Sequence, residues 1–249
     1  MLWQDPPDEQ HQAAWEDIID LVFRLSGGTL PVDHAHALST AVLAELPWLA
    51  DEPRCGVHQI HVASSGHGWM RPDGDACEVL NLSRRTRLTL RLPRERLADA
   101  EGLSGRSLDV GGHHLQVGKA AERPLTPSST LFARYVLCDD TRFEDEECFI
   151  DWVADTLRGM GITPTKLLCG MTSRIDVPRE RVGSRSRRCS TSCIPAVVRA
   201  RSLMVAALPP DASLGLQRRG LGGGRLMGCG LFVPHKGIEA VRDSNEELR

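Results

Sequence analysis

The residues best suited to bind a charged ligand lie near the C-terminus, in a glycine-rich stretch at residues 220–230. Two Gly-hydrophobic-Gly units, residues 220–222 and 228–230, enclose five residues that include Arg225. Glycine has no Cβ, so such a stretch can adopt positive φ and approach another backbone closely. Its N–H groups can form a concave anion site, and a guanidinium matches a phosphate. We therefore expect a phosphodiester backbone to bind Arg225 and the glycines Gly220, Gly222, Gly223, Gly224, Gly228 and Gly230.

This stretch does not have the spacing of the common nucleotide-binding motifs. A P-loop requires Lys followed by Ser or Thr after its last glycine, and the dinucleotide pattern G-x-G-x-x-G fails in every register. The apolar residues 226–233 predict that the stretch leads into a buried strand. A plain glycine-rich turn is the alternative interpretation.

Positive charge is concentrated in the same half of the chain. The 249 residues carry a net charge of −3, but residues 162–238 hold 13 Lys or Arg against 3 Asp or Glu. This asymmetry indicates a face that binds a polyanion. A general abundance of arginine explains the preference for Arg over Lys, but not this distribution.

Composition excludes several classes of protein. No run of about 18 apolar residues is present, so no membrane span is expected. The N-terminus is acidic and has no apolar signal-peptide region. None of the eight cysteines forms a C-x-x-C pair, which favours reduced thiols in the cytoplasm over a metal site. We expect no metal and no cofactor.

The elements that must position these residues follow one order twice. Hydrophobic periodicity predicts β-α-β-β-α-β in the first half of the chain and again in the second. The expected fold class is α+β, with two tandem ferredoxin-like (RRM-like) domains. The predicted boundaries are a flexible leader at 1–15, domains at 16–122 and 123–240, and a tail at 241–249.

Two predicted elements carry candidate site residues. A helix is expected over residues 34–46, with Asp33 as its N-cap. From Arg87 the sequence alternates, which predicts a strand with leucines inside and Arg87 and Arg91 outside. Residues 178–199 are rich in Arg and Ser and are expected to form a disordered basic loop.

Together these features resemble a known family. The G-h-G-x5-G-h-G pattern, placed before the last strand of a second ferredoxin-like unit, resembles the signature of the repeat-associated RNA-binding superfamily of CRISPR systems. Within it, the chain is similar over residues 16 to 240 to the sixth Cas family, endoribonucleases that cut CRISPR repeat transcripts. The subfamily named after myxobacterial CRISPR loci is matched at residues 30–34, 46–49, 82–88, 217–222 and 228–238.

The resemblance implies metal-independent cleavage of CRISPR precursor RNA within its repeats. The ribose 2′-OH attacks the adjacent phosphate and leaves a 2′,3′-cyclic phosphate, which requires a base, an acid and positive charge. The implied partners are the repeat hairpin, the mature guide RNA that stays bound, and other Cas effector-complex subunits. The alternative is a non-catalytic RNA-binding subunit of such a complex.

The family's histidine position points to His34 as the proton-transfer residue. At the first turn of the predicted helix, the positive helix end disfavours imidazolium and keeps the ring able to accept a proton. A residue that merely packs or caps the helix is the alternative. His36 is the substitute, Lys236 is expected to stabilise the phosphorane charge, and His235 is expected to contact RNA.

Arginines are expected to bind phosphates of an RNA hairpin. The first group lies on or beside the alternating strand: Arg84, Arg85, Arg87 and Arg91. The second group, in the basic loop, is Arg185, Arg187 and Arg188. A solvated sheet face and a solvated loop without a role are the alternatives.

Overall fold

Three antiparallel sheets organise the computed structural model, which describes residues 17–61, 79–137, 145–163, 166–176 and 197–235. Within these ranges the strands are β1 (Ile18–Ser26), β2 (Thr29–Pro31), β3 (Gly56–Val57), β4 (Val79–Asn81), β5 (Arg87–Pro93), β6 (Ser107–Val110), β7 (His113–Pro124), β8 (Thr130–Leu137), β9 (Lys166–Asp176), β10 (Val197–Ala206) and β11 (Val233–Pro234). The α-helices are α1 (Ala35–Glu45), α2 (Leu97–Glu101), α3 (Glu146–Gly159) and α4 (Pro210–Arg219). Short 3-10 segments cover Pro47–Asp51, Arg94–Arg96 and Arg225–Met227.

The two large sheets have the same strand order. In the N-terminal sheet, β3-β5-β1-β7 are the second, third, first and fourth strands of a β-α-β-β-α-β unit, and β6 is added at the edge. In the C-terminal sheet, β9-β10-β8-β11 repeat that order. The predicted α+β fold class with ferredoxin-like topology is therefore confirmed. The domain boundaries stay a prediction, and the proposed leader and tail lie outside the described residues.

Helices cover one face of each large sheet because both elements are apolar on the facing sides. On the N-terminal sheet, Leu38 and Val42 of α1 belong to one buried cluster with Leu88 and Leu90 of β5. On the C-terminal sheet, α3 contributes the fully buried stripe Phe149, Val153 and Leu157. The helix α3 begins where it does because Asp145 accepts a hydrogen bond from the backbone N–H of Cys148. The two clusters correspond to the two repeated units.

The second face of the N-terminal sheet meets the C-terminal part of the chain, and Arg91 lies in that contact. The predicted strand is confirmed as β5, but its predicted exposed face is wrong, because residues 88–93 are all buried and the Arg91 side chain is 0% exposed. Its guanidinium donates to both carboxylate oxygens of Asp20 and to the carbonyls of Gln217 and Phe232. The opposite face of a strand need not face water when a second unit packs on it.

Several predicted boundaries change in the structure. His34, not Asp33, occupies the N-cap position of α1. The apolar residues 226–233 contribute a 3-10 turn and a final strand of two residues rather than a long strand. Along the part of the chain that the structure describes, no helix is both long and apolar enough to cross a bilayer.

Candidate functional site

The glycine-rich stretch at residues 220–230, here called the glycine turn, folds back on itself. The backbone N–H of Leu221 donates to the carbonyl of Gly230, and the N–H of Gly230 donates to Tyr135. A Cβ on Gly230 would lie 2.1 Å from the Leu221 oxygen, and a Cβ on Gly220 would lie 2.4 Å from the Gly230 oxygen. Both residues also have positive φ. Close backbone approach therefore explains why these two positions are glycine.

Much of the backbone of the glycine turn is already hydrogen-bonded. Protein carbonyls accept from the N–H groups of six residues in it: Gly220, Leu221, Met227, Gly228, Cys229 and Gly230. The predicted anion site cannot use these donors without breaking the turn. Gly222 and Gly223 are exposed, so the backbone accessible to a ligand lies at the tip of the turn.

Arg225 connects the glycine turn to both halves of the chain. Its guanidinium donates to the carbonyls of Arg54 and Cys55 on one side and of Arg218 and Arg219 on the other. Burial lowers the pKa of Arg225 to about 10, which still leaves it charged at neutral pH. This placement corrects the expectation that its planar fork is presented to a phosphate, because backbone carbonyls already occupy that fork.

Beside the glycine turn is a cavity of about 150 Å³, which we call the histidine cleft. One wall is residues 58–61, and the other is β8 with the end of the glycine turn. Its lining residues are His58, Gln59, His61, Phe132, Arg134, Tyr135, Gly228, Leu231 and Val233. The cleft thus combines imidazoles, a guanidinium and an amide in one concave site.

The two walls of the histidine cleft are fastened to each other. The Gln59 side chain donates to the carbonyl of Met227 over 3.1 Å. A Cβ on Gly228 would lie 2.7 Å from the Gln59 Cγ, so glycine permits the close approach. Ala35 at the start of α1 belongs to the same buried cluster as Cys229. The structure therefore places the glycine turn next to the histidine-bearing helix.

His34 is buried beneath this cleft, with 3% of its surface exposed. The backbone N–H of Ile60 donates to its Nε2 over 3.0 Å, so the proton must be on Nδ1, which lies 2.9 Å from the Pro31 carbonyl oxygen. Burial lowers the pKa of His34, as expected for a neutral ring, although burial and not the helix end is the main cause. Both nitrogens are engaged, so the catalytic role predicted for His34 stays a prediction whose geometry is unfavourable.

His58 and His61 differ in their access to the cleft. The Nε2 atom of His58 is buried without a hydrogen-bond partner, and lies 3.7 Å from an Asp20 carboxylate oxygen. Burial also lowers the pKa of His58. His61 is exposed on the same wall. Of these two histidines, His61 is the one that a ligand in the cleft can reach.

The remaining predicted residues are spread around the molecule. Arg84 and Arg85 are exposed just before β5, while the half-buried Arg87 donates to the carbonyls of Arg84 and Thr86. His36 is half-buried in α1, and His235 is exposed and contacts the ring of Phe132 at 5.6 Å between centroids. The predicted residues Arg185, Arg187, Arg188 and Lys236 lie outside the described residues.

The sequence interpretation missed His58, His61 and Arg134. A signal was present, because two histidines interrupt the short apolar segment 57–62, and Arg134 interrupts the apolar strand β8. Polar residues within apolar strands often mark a site rather than a surface. The signal was weak because nothing in the sequence shows that these two segments face each other.

The comparisons with known proteins show the family of this chain. The model of the family described as Cas6 Crispr matches residues 19–237. The CRISPR-associated endonuclease Cas6 of Myxococcus xanthus (strain DK1622) is 30% identical over 216 residues, which are 87% of this chain and 81% of the relative. The chain belongs to the Cas6 family.

Solved structures with low sequence identity share the fold. A Cas6-related protein from Pyrococcus furiosus has a TM-score of 0.57 at 11% identity, covering 88% of this chain and 99% of that one. A structure described as an RAMP protein binding different RNA substrates also has a TM-score of 0.57, at 14% identity, and covers 88% of this chain and all of the other.

Proposed function

We propose that this protein is an endoribonuclease that cleaves CRISPR precursor RNA within its repeats without a metal ion. The observation that carries the proposal is the histidine cleft, which brings His61 and Arg134 together beside the glycine turn. Membership of the Cas6 family supports the substrate, since the Myxococcus xanthus relative is named a CRISPR-associated endonuclease.

The proposed reaction is a transesterification within the RNA strand. The ribose 2′-oxygen attacks the adjacent phosphorus while the bond from phosphorus to the 5′-oxygen breaks. A base removes the 2′-hydroxyl proton, and an acid returns a proton to the leaving 5′-oxygen. The guanidinium of Arg134 offers positive charge to the phosphorane. The products are a 2′,3′-cyclic phosphate and a 5′-hydroxyl.

RNA binding is proposed to extend from the histidine cleft. The exposed glycines Gly222 and Gly223 can approach the RNA backbone closely, and the exposed Arg84 and Arg85 can bind stem phosphates. We propose that the repeat hairpin remains bound after cleavage with the mature guide RNA, and that other Cas effector subunits join this complex.

The direct test is incubation of the full chain with its repeat RNA in excess EDTA. We expect two discrete products, the upstream one ending in a cyclic phosphate that resists phosphatase until acid opens it. A substrate with a single 2′-deoxy substitution at the cleavage nucleotide is the matched control and should bind but stay intact. Binding of the unmodified repeat without cleavage would instead identify a non-catalytic RNA-binding subunit, and an absolute need for a divalent cation would contradict the proposed chemistry.

A further inference from the structure

His34, the histidine expected to transfer protons, is buried, whereas His61, which the sequence did not single out, is exposed. His34 sits at the N-cap of α1 with both ring nitrogens bonded to backbone atoms. A base needs a free lone pair, and the lone pair on Nε2 already accepts the Ile60 N–H. Using it for RNA would leave that buried N–H without a hydrogen-bond partner, which is unfavourable.

The same hydrogen bond gives His34 a structural effect on the histidine cleft. Ile60 is 1% exposed and stands directly before His61, so fixing its N–H also fixes the backbone that carries the next side chain. Two further bonds hold this segment: the His58 N–H donates to the Thr89 carbonyl, and the Gln59 amide donates to Met227. Hydrogen bonds therefore hold residues 58, 59 and 60, the three residues directly before His61.

His61 is the imidazole that faces the cleft from this rigid wall. It is exposed, and it shares the cleft with Arg134 from β8 and with Tyr135, whose hydroxyl lies 3.2 Å from the Arg134 Nε. The packed walls of the cleft lower the pKa of His61, and the nearby Arg134, His34 and His58 lower it further. These effects favour a neutral ring at physiological pH, which is the form that accepts a proton.

We propose that His61 is the catalytic histidine of this site and that His34 is a positioning residue that holds its backbone. The inference rests on the proposed function. In the forward step the His61 ring takes the proton from the attacking 2′-hydroxyl as the new oxygen–phosphorus bond forms. The 5′-oxygen leaves with the electron pair of its broken bond to phosphorus and takes a proton from water to become the 5′-hydroxyl, and Arg134 offsets the charge on the phosphorane.

The test is single-turnover cleavage of repeat RNA by His61→Ala and His34→Gln, with RNA affinity and thermal unfolding measured for each. His61→Ala should bind RNA as the wild type does, fold normally because the residue is exposed, and lose about 10²- to 10⁴-fold in cleavage rate. Added imidazole should restore part of that rate. His114→Ala, an exposed histidine of β7 away from the cleft, is the matched control.

His34→Gln distinguishes positioning from catalysis, because its amide oxygen can accept the Ile60 N–H but cannot transfer a proton near neutral pH. We expect reduced cleavage that keeps the wild-type pH profile. The inference is overturned if His61→Ala cleaves at the wild-type rate. It is also overturned if His34→Gln loses as much cleavage rate as His61→Ala and added imidazole restores the rate of the His34 variant only. A wild-type protein that does not cleave would contradict the proposed function itself, so the two failures are separable.

Discussion

The two walls of the histidine cleft are built in opposite ways. The glycine turn is closed by its own hydrogen bonds and by the half-buried Arg225, and Leu221 and Cys229, the apolar residues of its two Gly-hydrophobic-Gly units, are buried. Residues 58–61 have little regular structure and are held from outside, by His34 below and by the turn opposite. The first wall is conspicuous in the sequence, and the second is not.

This difference separates the residues that identify the fold from those that face the ligand. The glycines at 220 and 230 let two backbone segments approach within contact distance, and this need exists whether or not a ligand binds there. His61, the imidazole proposed for catalysis, lies on the opposite wall, which the glycine turn supports through the Gln59 hydrogen bond to Met227. The glycine turn is therefore best understood as a scaffold for the cleft, with only its tip accessible.

Weakening the contact between the two large sheets should lower the stability of the protein most, because the two walls of the cleft belong to different halves of the chain. Arg91→Leu leaves the Asp20 carboxylate buried without its main partner, and breaking a buried pair in this way costs about 3–5 kcal/mol. Chemical denaturation should show this loss, while the salt dependence of RNA binding should not change in the folded fraction. Arg94→Ala, in an exposed pair with Asp17 and Glu122, is the control and should have little effect. A variant that is stable but binds RNA with a smaller salt slope would restore Arg91 as a phosphate contact.

Disrupting the glycine turn alone should lower the free energy of unfolding slightly less than the Arg91 substitution does. Gly230→Ala adds a Cβ at 2.1 Å from the Leu221 oxygen and forces a left-handed conformation, so about 2–5 kcal/mol of unfolding free energy should be lost. Gly223→Ala is the matched control, since its Cβ would have no neighbour closer than 3.9 Å. Thermal unfolding of both variants measures the difference. Equal stabilities would contradict the scaffold interpretation.

The second wall should weaken as the pH falls. Burial holds the pKa of His34 below its ordinary value of 6.5, so the unfolded chain takes up the proton first. The stability that the neutral ring contributes is fully present above about pH 6.5 and decreases below it, by at most about 1.4 kcal/mol per pH unit. Denaturation between pH 7 and 5 should show a shallower slope for His34→Gln. An unchanged slope would mean that His34 takes up its proton over the same pH range in the folded and the unfolded protein.

The smallest effect is expected for the exposed arginine Arg85, which lies outside both walls of the cleft. If Arg85 binds one phosphate, Arg85→Ala should weaken RNA binding for all repeat sequences alike and reduce the salt slope by about one. The adjacent Arg87 donates to two backbone carbonyls, so Arg87→Ala should change the slope less. Titrations at several salt concentrations measure both. A larger change in salt slope for Arg87→Ala than for Arg85→Ala would place the RNA on the face of β5.

The sequence predicts the fold far better than the site. Hydrophobic periodicity was sufficient for the repeated β-α-β-β-α-β order, since each helix and strand signals one buried face. It could not show that the other face of β5 is buried against Gln217 and Phe232, because this contact spans more than 120 residues of chain. For the same reason, the sequence could not show that the Arg225 guanidinium and the His34 ring nitrogens are already hydrogen-bonded to backbone atoms.

The most direct test of the account is the position of the scissile phosphate. A repeat RNA with a 2′-deoxy block and a photoreactive 4-thiouridine beside that phosphate should bind without being cleaved, and its crosslinks can be mapped by mass spectrometry. We expect crosslinks to peptides that carry residues 58–61 and 132–135. Crosslinks concentrated at a second cavity between the two halves, lined by Arg123, Thr126 and Gln217, would contradict this placement.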